Sequence, residues 1–324
     1  MKKTTHFLLI ASLLGPLASQ SLQAETVFIT LEKDNALAVV DPVAGKLLQT
    51  ITIGQQPRGI VASQDGKVLY VATSDENTIK MFDSDSLKEI GRLPSGEDPE
   101  TFAISPDGKF LYVSNEDDSE VTVIDINARK AVQKIKVGVE PEGVAVSPDN
   151  RWVIVTSETT NMLHWIDTKT RQIVENTLVD TRPRAASFTA DSQQLWATSE
   201  MAGTLQVLDT NTKQIIHNIK FEIPGVTPEQ IQPVGVVIDT ERRFAYVALG
   251  PSNRIAVINA QTYKVEKYFL VGQRVWNIVF SPDQKHLYSA NGLSNDVSII
   301  DLQEQKVTKS IAVGREPWGL TVKP

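Results

Sequence analysis

The sequence predicts an all-β fold, a seven-bladed β-propeller of four-stranded antiparallel blades, on three observations. The segments GQQPRG, GEDPET, GVEPEG, DTRPRA, IQPVG, GQRVWN and GREPWG share one register, with anchors Pro57, Pro99, Pro141, Pro183, Pro233, Val275 and Pro317 spaced 42 residues apart except for one step of 50. An independent marker, Asp41, Asp83, Asp125, Asp167, Asp209, Asn259 and Asp301, has the same period and the same single step of 50. Within each unit lie four short runs rich in Val, Ile, Leu and Tyr, and a four-strand repeat of some 40 residues is the pattern of a propeller blade.

The elements follow in chain order. Residues 1–24 open with Lys2 and Lys3, continue through an apolar run from Phe7 to Ala18 and end in a polar tail at Ala24. That is the pattern of a cleavable signal peptide, and the apolar run is too short for a membrane span. Loss of both lysines would take the formal charge from −7 to −9 and leave an exported, acidic, periplasmic domain over 25–324.

In the first full unit PRGIVAS, KVLYVATS, NTIKMFD and KEIGRLPSG are the strands, separated by QDGK, SDEN and DSDS turns. SPDGK, SPDNR and SPDQK repeat the first hairpin turn at residues 105, 147 and 281. Both marker series place eight extra residues between Asp209 and Pro233, and the segment from Pro224 to Gln232 is expected to project as a loop. At the N-terminus TVFITLE reads as a second strand whose first strand is missing, and GLTVKP at the C-terminus supplies it. One C-terminal and three N-terminal strands would thus close the ring and remove an open edge.

Composition excludes several chemistries. The chain has no cysteine, which removes disulfide scaffolds, thiolate zinc sites, iron–sulfur clusters, C-x-x-C-H heme attachment and cysteine nucleophiles. The net negative charge argues against nucleic acid or an anionic membrane as partner. His164, His217 and His286 fall at unlike repeat positions, so they should not converge on a metal, and no G-x-S-x-G elbow is present.

The segments LYVATSDENTIKMFD, LYVSNEDDSEVTVID and LYSANGLSNDVSIID resemble the YVTN family of β-propeller repeats over residues 25–324. More narrowly, the chain resembles periplasmic propeller proteins associated with pyrroloquinoline-quinone (PQQ)-dependent alcohol catabolism and its ABC transport operons. That resemblance implies a non-catalytic binding or scaffold protein, accessory to alcohol oxidation. Its partners would be a periplasmic quinoprotein dehydrogenase, a cytochrome or an ABC transporter component. No cofactor is expected, since the chain lacks the Trp-docking repeats of the larger quinoprotein dehydrogenases.

In a four-strand meander the fourth-to-first and second-to-third connections share one face of the disc. The residue after each anchor should therefore stand at the mouth of the central channel: Arg58, Glu100, Glu142, Arg184, Val234, Trp276 and Trp318. Arginines, glutamates and indoles there could bind a small polar or aromatic ligand or a partner, or simply pair with one another at a rim. The next residues, Gly59, Thr101, Gly143, Ala185, Gly235, Asn277 and Gly319, are mostly small and read as packing at the axis. Asn277 with Glu100 and Glu142 offers an alternative, a hard-cation site of a lactonase-like hydrolase. Acidic loop residues Asp75, Glu76, Glu97, Asp98, Glu116, Asp117, Asp118 and Glu140 gather on consecutive units, and Arg182, Arg254, Arg274 and Arg315 on others, suggesting a solvated rim or a dipolar docking face.

Overall fold

In the computed structural model, which describes residues 25–323, the four runs of every unit form one antiparallel sheet, and seven such sheets stand in a ring. The signal-peptide segment and Pro324 lie outside the described residues. In the first blade Pro57–Ala62, Val68–Thr73, Thr78–Asp83 and Glu89–Pro94 pair in chain order from the axis outward.

Polar side chains fix the turns between strands. Ser105 Oγ donates to Asp107 at 2.6 Å and accepts from the Phe110 amide at 2.9 Å, and Ser147 and Ser281 repeat the device. At the end of the third strand Asp83, Asp125 and Asp209 each accept, at 2.8 Å, the amide three residues on. These Asx turns are the physical content of the aspartate series, because a short carboxylate there replaces backbone bonds the turn cannot make.

The core is divided among the blades. Phe28, Leu37 and Val39 of the closing blade pack with Ile60, Leu69 and Val71 of the first, and equivalent clusters fill the other interfaces. The middle strands are therefore apolar on both faces, whereas an outer strand such as Lys46–Thr52 is largely exposed.

Near the axis the inner strands approach closely. A Cβ on Gly143 would lie 2.2 Å from the Arg184 carbonyl oxygen, and one on Gly319 2.5 Å from that of Arg58. Hydroxyls one strand out tie the same carbonyls down: Thr30 donates to Arg58 O at 2.7 Å, Ser114 to Glu142 O at 2.6 Å, Thr156 to Arg184 O at 3.0 Å and Thr198 to Val234 O at 2.7 Å.

Closure follows the expected scheme. Pro317–Lys323 is the inner strand of the sheet completed by Thr26–Leu31, Ala36–Asp41 and Lys46–Thr52. Lys323 Nζ then reaches Asp85 of the first blade at 2.6 Å. The inserted segment departs from a free projection. Phe221, Ile223 and Ile231 bury themselves between the fourth and fifth blades, leaving residues 227–230 exposed. The inner strand of the fifth blade shortens to Val236–Ile238.

Candidate functional site at the channel mouth

The two connections expected to share a face do so through a repeated asparagine. Asn35, Asn77, Asn161, Asn253 and Asn295 each accept, at 2.9–3.0 Å, the amide of the residue just before the next anchor position. All five take a left-handed backbone, which asparagine tolerates better than most residues. Each thereby fastens a second-to-third turn to the loop that opens the neighbouring blade.

On this frame Arg58, Glu100, Glu142 and Arg184 come together in an ion-pair network. Arg58 Nη1 lies 3.0 Å from Glu100 and its Nη2 3.6 Å from Glu32. Arg184 lies 3.1 Å from Glu142, is bonded to Glu158, and stands 3.7 Å from Glu200. Arg182 reaches Glu158 at 2.8 Å and Glu200 at 3.2 Å, and Arg274 reaches Glu200 at 3.3 Å. Of Glu32, Glu116, Glu158 and Glu200, only Glu116 was expected from sequence, and as an acidic loop residue rather than as part of the mouth. They occupy the first position after the second strand, with the same 42-residue spacing between the last three, so the period itself carried the signal.

Trp318 is 4% exposed, with the Arg58 guanidinium 5.6 Å from its ring. Trp276 is only partly buried, with Arg274 at 4.2 Å and Arg184 at 5.8 Å. Val234 is buried. Asn277 donates its amide to the Trp318 carbonyl at 3.1 Å, stapling the last two inner strands, while Glu142 is engaged by Arg184. Glu100 instead shares its corner with Asp98 and Glu116, whose oxygens and its own all lie within 4.8 Å of one another.

The mouth is electrostatically uneven. On one side Arg182, Arg184 and Arg274 face Glu142, Glu158 and Glu200, a balanced set. On the other, Glu32, Asp98, Glu100 and Glu116 surround Arg58 alone. Burial pushes the carboxyls of Asp98 and Glu116 up and that of Glu100 well above its ordinary range, with Glu142 adding repulsion to the two glutamates. Burial likewise pushes Glu158 up to about 7 against the pull of Arg184. Arg184 is itself held raised, since Glu142, Glu158 and Glu200 outweigh its desolvation. Further out, Asp75, Glu97 and Asp117 are exposed and carry no ion pair among the described residues, whereas Arg315 is engaged by Asp34 at 2.6 Å. With Arg182 and Arg274 also paired, three of the four expected arginines are neutralised, and Arg254 donates to the Ser252 carbonyl instead; of the acidic half, Glu76 pairs with Lys80 and Asp118 with Lys134, which leaves Asp75, Glu97 and Asp117 as its exposed, unpaired part.

Beneath the ring is a cavity of about 160 Å³ lined by Thr101, Glu142, Gly143, Arg184, Val234 and Trp318 among others. The histidines lie apart from it. His164 is buried within its blade, its Nδ1 2.6 Å from Asn176 Oδ1 and its Nε2 accepting the Gly138 amide at 2.9 Å. His217 stacks on Tyr263 at 3.6 Å, and His286 lies beside Tyr288.

Comparison with known proteins gives a family and a fold. Residues 70–264 match the family model described as Cytochrome D1 heme domain. No curated protein matches the chain. Among solved structures, the chain is similar to a "putative 6-phosphogluconolactonase" from Bacteroides uniformis, with TM-score 0.78 and 15% identity over 93% of this chain and 100% of that one. A functionally unknown protein from Desulfotomaculum acetoxidans gives TM-score 0.76 and 14% identity over 92% and 98%. Kuenenia stuttgartiensis hydrazine synthase gives TM-score 0.56 and 20% identity over 76% and 95%. At these identities the likeness shows the propeller fold alone.

The heme implied by the family description does not fit this axis. Pockets for small molecules and cofactors run to about 300–1,000 Å³, and the space under the ring is about half the lower bound. Heme iron is held by His, Cys, Met or Tyr, and none of these stands in the ring of mouth residues. His164, the most buried histidine among the described residues, has both ring nitrogens engaged, one by Asn176 of its own blade and the other by the Gly138 amide in the loop that leads into it.

Proposed function

The chain belongs to the cytochrome D1 heme domain family, but its axis does not fit heme, and we propose that it is a non-catalytic binding or scaffold protein of the periplasm. In the finer reading it is accessory to PQQ-dependent alcohol catabolism and the associated ABC transport system. The observation that carries the binding role is the free acidic rim over the first two blades, where Asp75, Glu97 and Asp117 stand exposed on loops tied together by Asn77, which accepts the Asp98 amide, and by Asp118, which accepts the Glu97 amide at 2.9 Å. Fixed, unpaired charge on a braced surface speeds and orients the approach of an oppositely charged protein. A positively charged surface on a quinoprotein dehydrogenase, a cytochrome or a transporter component would be its counterpart. The repeat resemblance and the export-type N-terminus support the compartment and the pathway, and the misfit of heme at the axis supports binding over redox chemistry there.

The test is affinity capture from the periplasm of alcohol-grown cells, comparing the wild type with the triple variant D75K/E97K/D117K. The wild type should recover one of those three protein classes at low salt, with recovery falling roughly ten-fold in the variant. Recovery of none of them, or capture indifferent to charge reversal, would overturn the proposal.

A further inference from the structure

We propose that Asp98, Glu100 and Glu116 form a binding site for one hard divalent cation, best suited to Ca²⁺, at the mouth of the channel. Their carboxylate oxygens lie within 4.8 Å of one another. Ca²⁺ takes oxygen ligands at about 2.3–2.6 Å, so oxygens on opposite sides of one ion are about 5 Å apart and those beside each other closer. All three groups can thus share an ion without rearrangement of the backbone.

The second observation is Glu100 itself. It is fully buried, its Oε2 is held by Arg58 Nη1 at 3.0 Å, and its Oε1 meets no protein cation or N–H donor among the described residues. A buried carboxylate oxygen without a partner costs stability unless something positive meets it. Arg58 cannot do so for the whole corner, because Glu32, Asp98, Glu100 and Glu116 stand around this one guanidinium.

The ligands are also positioned. Asp98 is held in a left-handed conformation by Asn77, and the Glu116 amide donates to the Asp98 carbonyl at 2.9 Å. Asp98 and Glu116 are partly open to solvent, which leaves room for water ligands. The donor set is oxygen only, which selects hard cations over zinc or copper. Ca²⁺ tolerates an irregular shell better than Mg²⁺, which demands a near-ideal octahedron.

The inference is independent of the docking proposal, and its test uses the purified protein with no partner present. After chelator treatment, calorimetric titration with CaCl₂ should show one ion per chain with a Kd on the order of 10⁻⁴ M, as for extracellular Ca²⁺ modules. E116Q and D98N should each weaken binding about ten-fold or more, because charge count sets affinity in such sites. E304Q, on an exposed turn beside Lys306, should bind as the wild type does. The proposal is overturned by the absence of binding heat up to about 10 mM Ca²⁺, or by binding that E116Q and D98N leave unchanged.

Discussion

Trp276 and Trp318 occupy the same repeat position on adjacent blades, yet replacing each with Ala should give different results. Trp318 is 4% exposed, so Trp318→Ala empties a buried site and should cost about 3–5 kcal/mol, as for other buried aromatic truncations. The loss includes the ring face 5.6 Å from Arg58, a contact worth about 0.5–2 kcal/mol depending on its desolvation. Trp276 is partly exposed, and Trp276→Ala should cost about 1–2 kcal/mol from the fraction of the indole that is buried. It should also release Arg274, now 4.2 Å from its ring. Urea denaturation followed by circular dichroism measures both losses. Partner capture with folded Trp276→Ala then asks whether the more accessible indole is an anchor, since aromatics are favoured in that role. Equal losses for the two variants, or a loss below about 1 kcal/mol for Trp318→Ala, would refute the burial argument.

Two further predictions concern the frame. Gly143→Ala places a methyl group 2.2 Å from the Arg184 carbonyl, which Thr156 holds in place, so it should destabilise by about 1–3 kcal/mol through overpacking; an unchanged melting temperature would show that the inner strands can separate. Burial lowers the His164 pKa below 6.5, with Asn176 offsetting part of the effect, so the unfolded chain gains a proton before the folded one as pH falls. The stability that neutral His164 contributes is fully present above 6.5 and is lost below it, and the advantage of the wild type over His164→Gln should shrink between about pH 8 and pH 5.5; a constant difference would contradict the assignment.

Much of the fold was legible because the frame is built from the same residue at the same repeat position. Asp83, Asp125 and Asp209 all close Asx turns, and Gly59, Gly143 and Gly319 all meet a neighbouring backbone. The asparagine pins are equally regular and lie in the SDEN turn and at its equivalents in other blades. Their long-range acceptor role was missed because a left-handed asparagine looks the same in sequence whether or not it reaches another blade. The ring residues were placed by the period, but their partners were not: Arg184 pairs with Glu158, 26 positions back, across a blade interface. Depth was also hidden. The blade of Trp318 carries Glu32 where that of Trp276 carries Gly292, and a Cβ on Gly292 would meet the Trp276 indole at 2.5 Å. Glycine at that place makes room for one indole, a difference that spacing does not express.

The contrast between the two kinds of position bears on what the mouth is for. Closing a ring asks for repetition, and the turn aspartates, pin asparagines and axial glycines repeat. At the mouth the residue changes from blade to blade, through Arg58, Glu100, Glu142, Arg184, Val234, Trp276 and Trp318. Stability does not require that variety, because a desolvated ion pair returns little over an apolar pair of the same volume. Arg184, buried among Glu142, Glu158 and Glu200, could give way to an apolar set at no net cost, whereas removing it alone would strand three carboxylates. The balanced side of the ring is therefore a rigid support, and the corner around Glu100, where charge is left over, is where a ligand from outside the chain gains most.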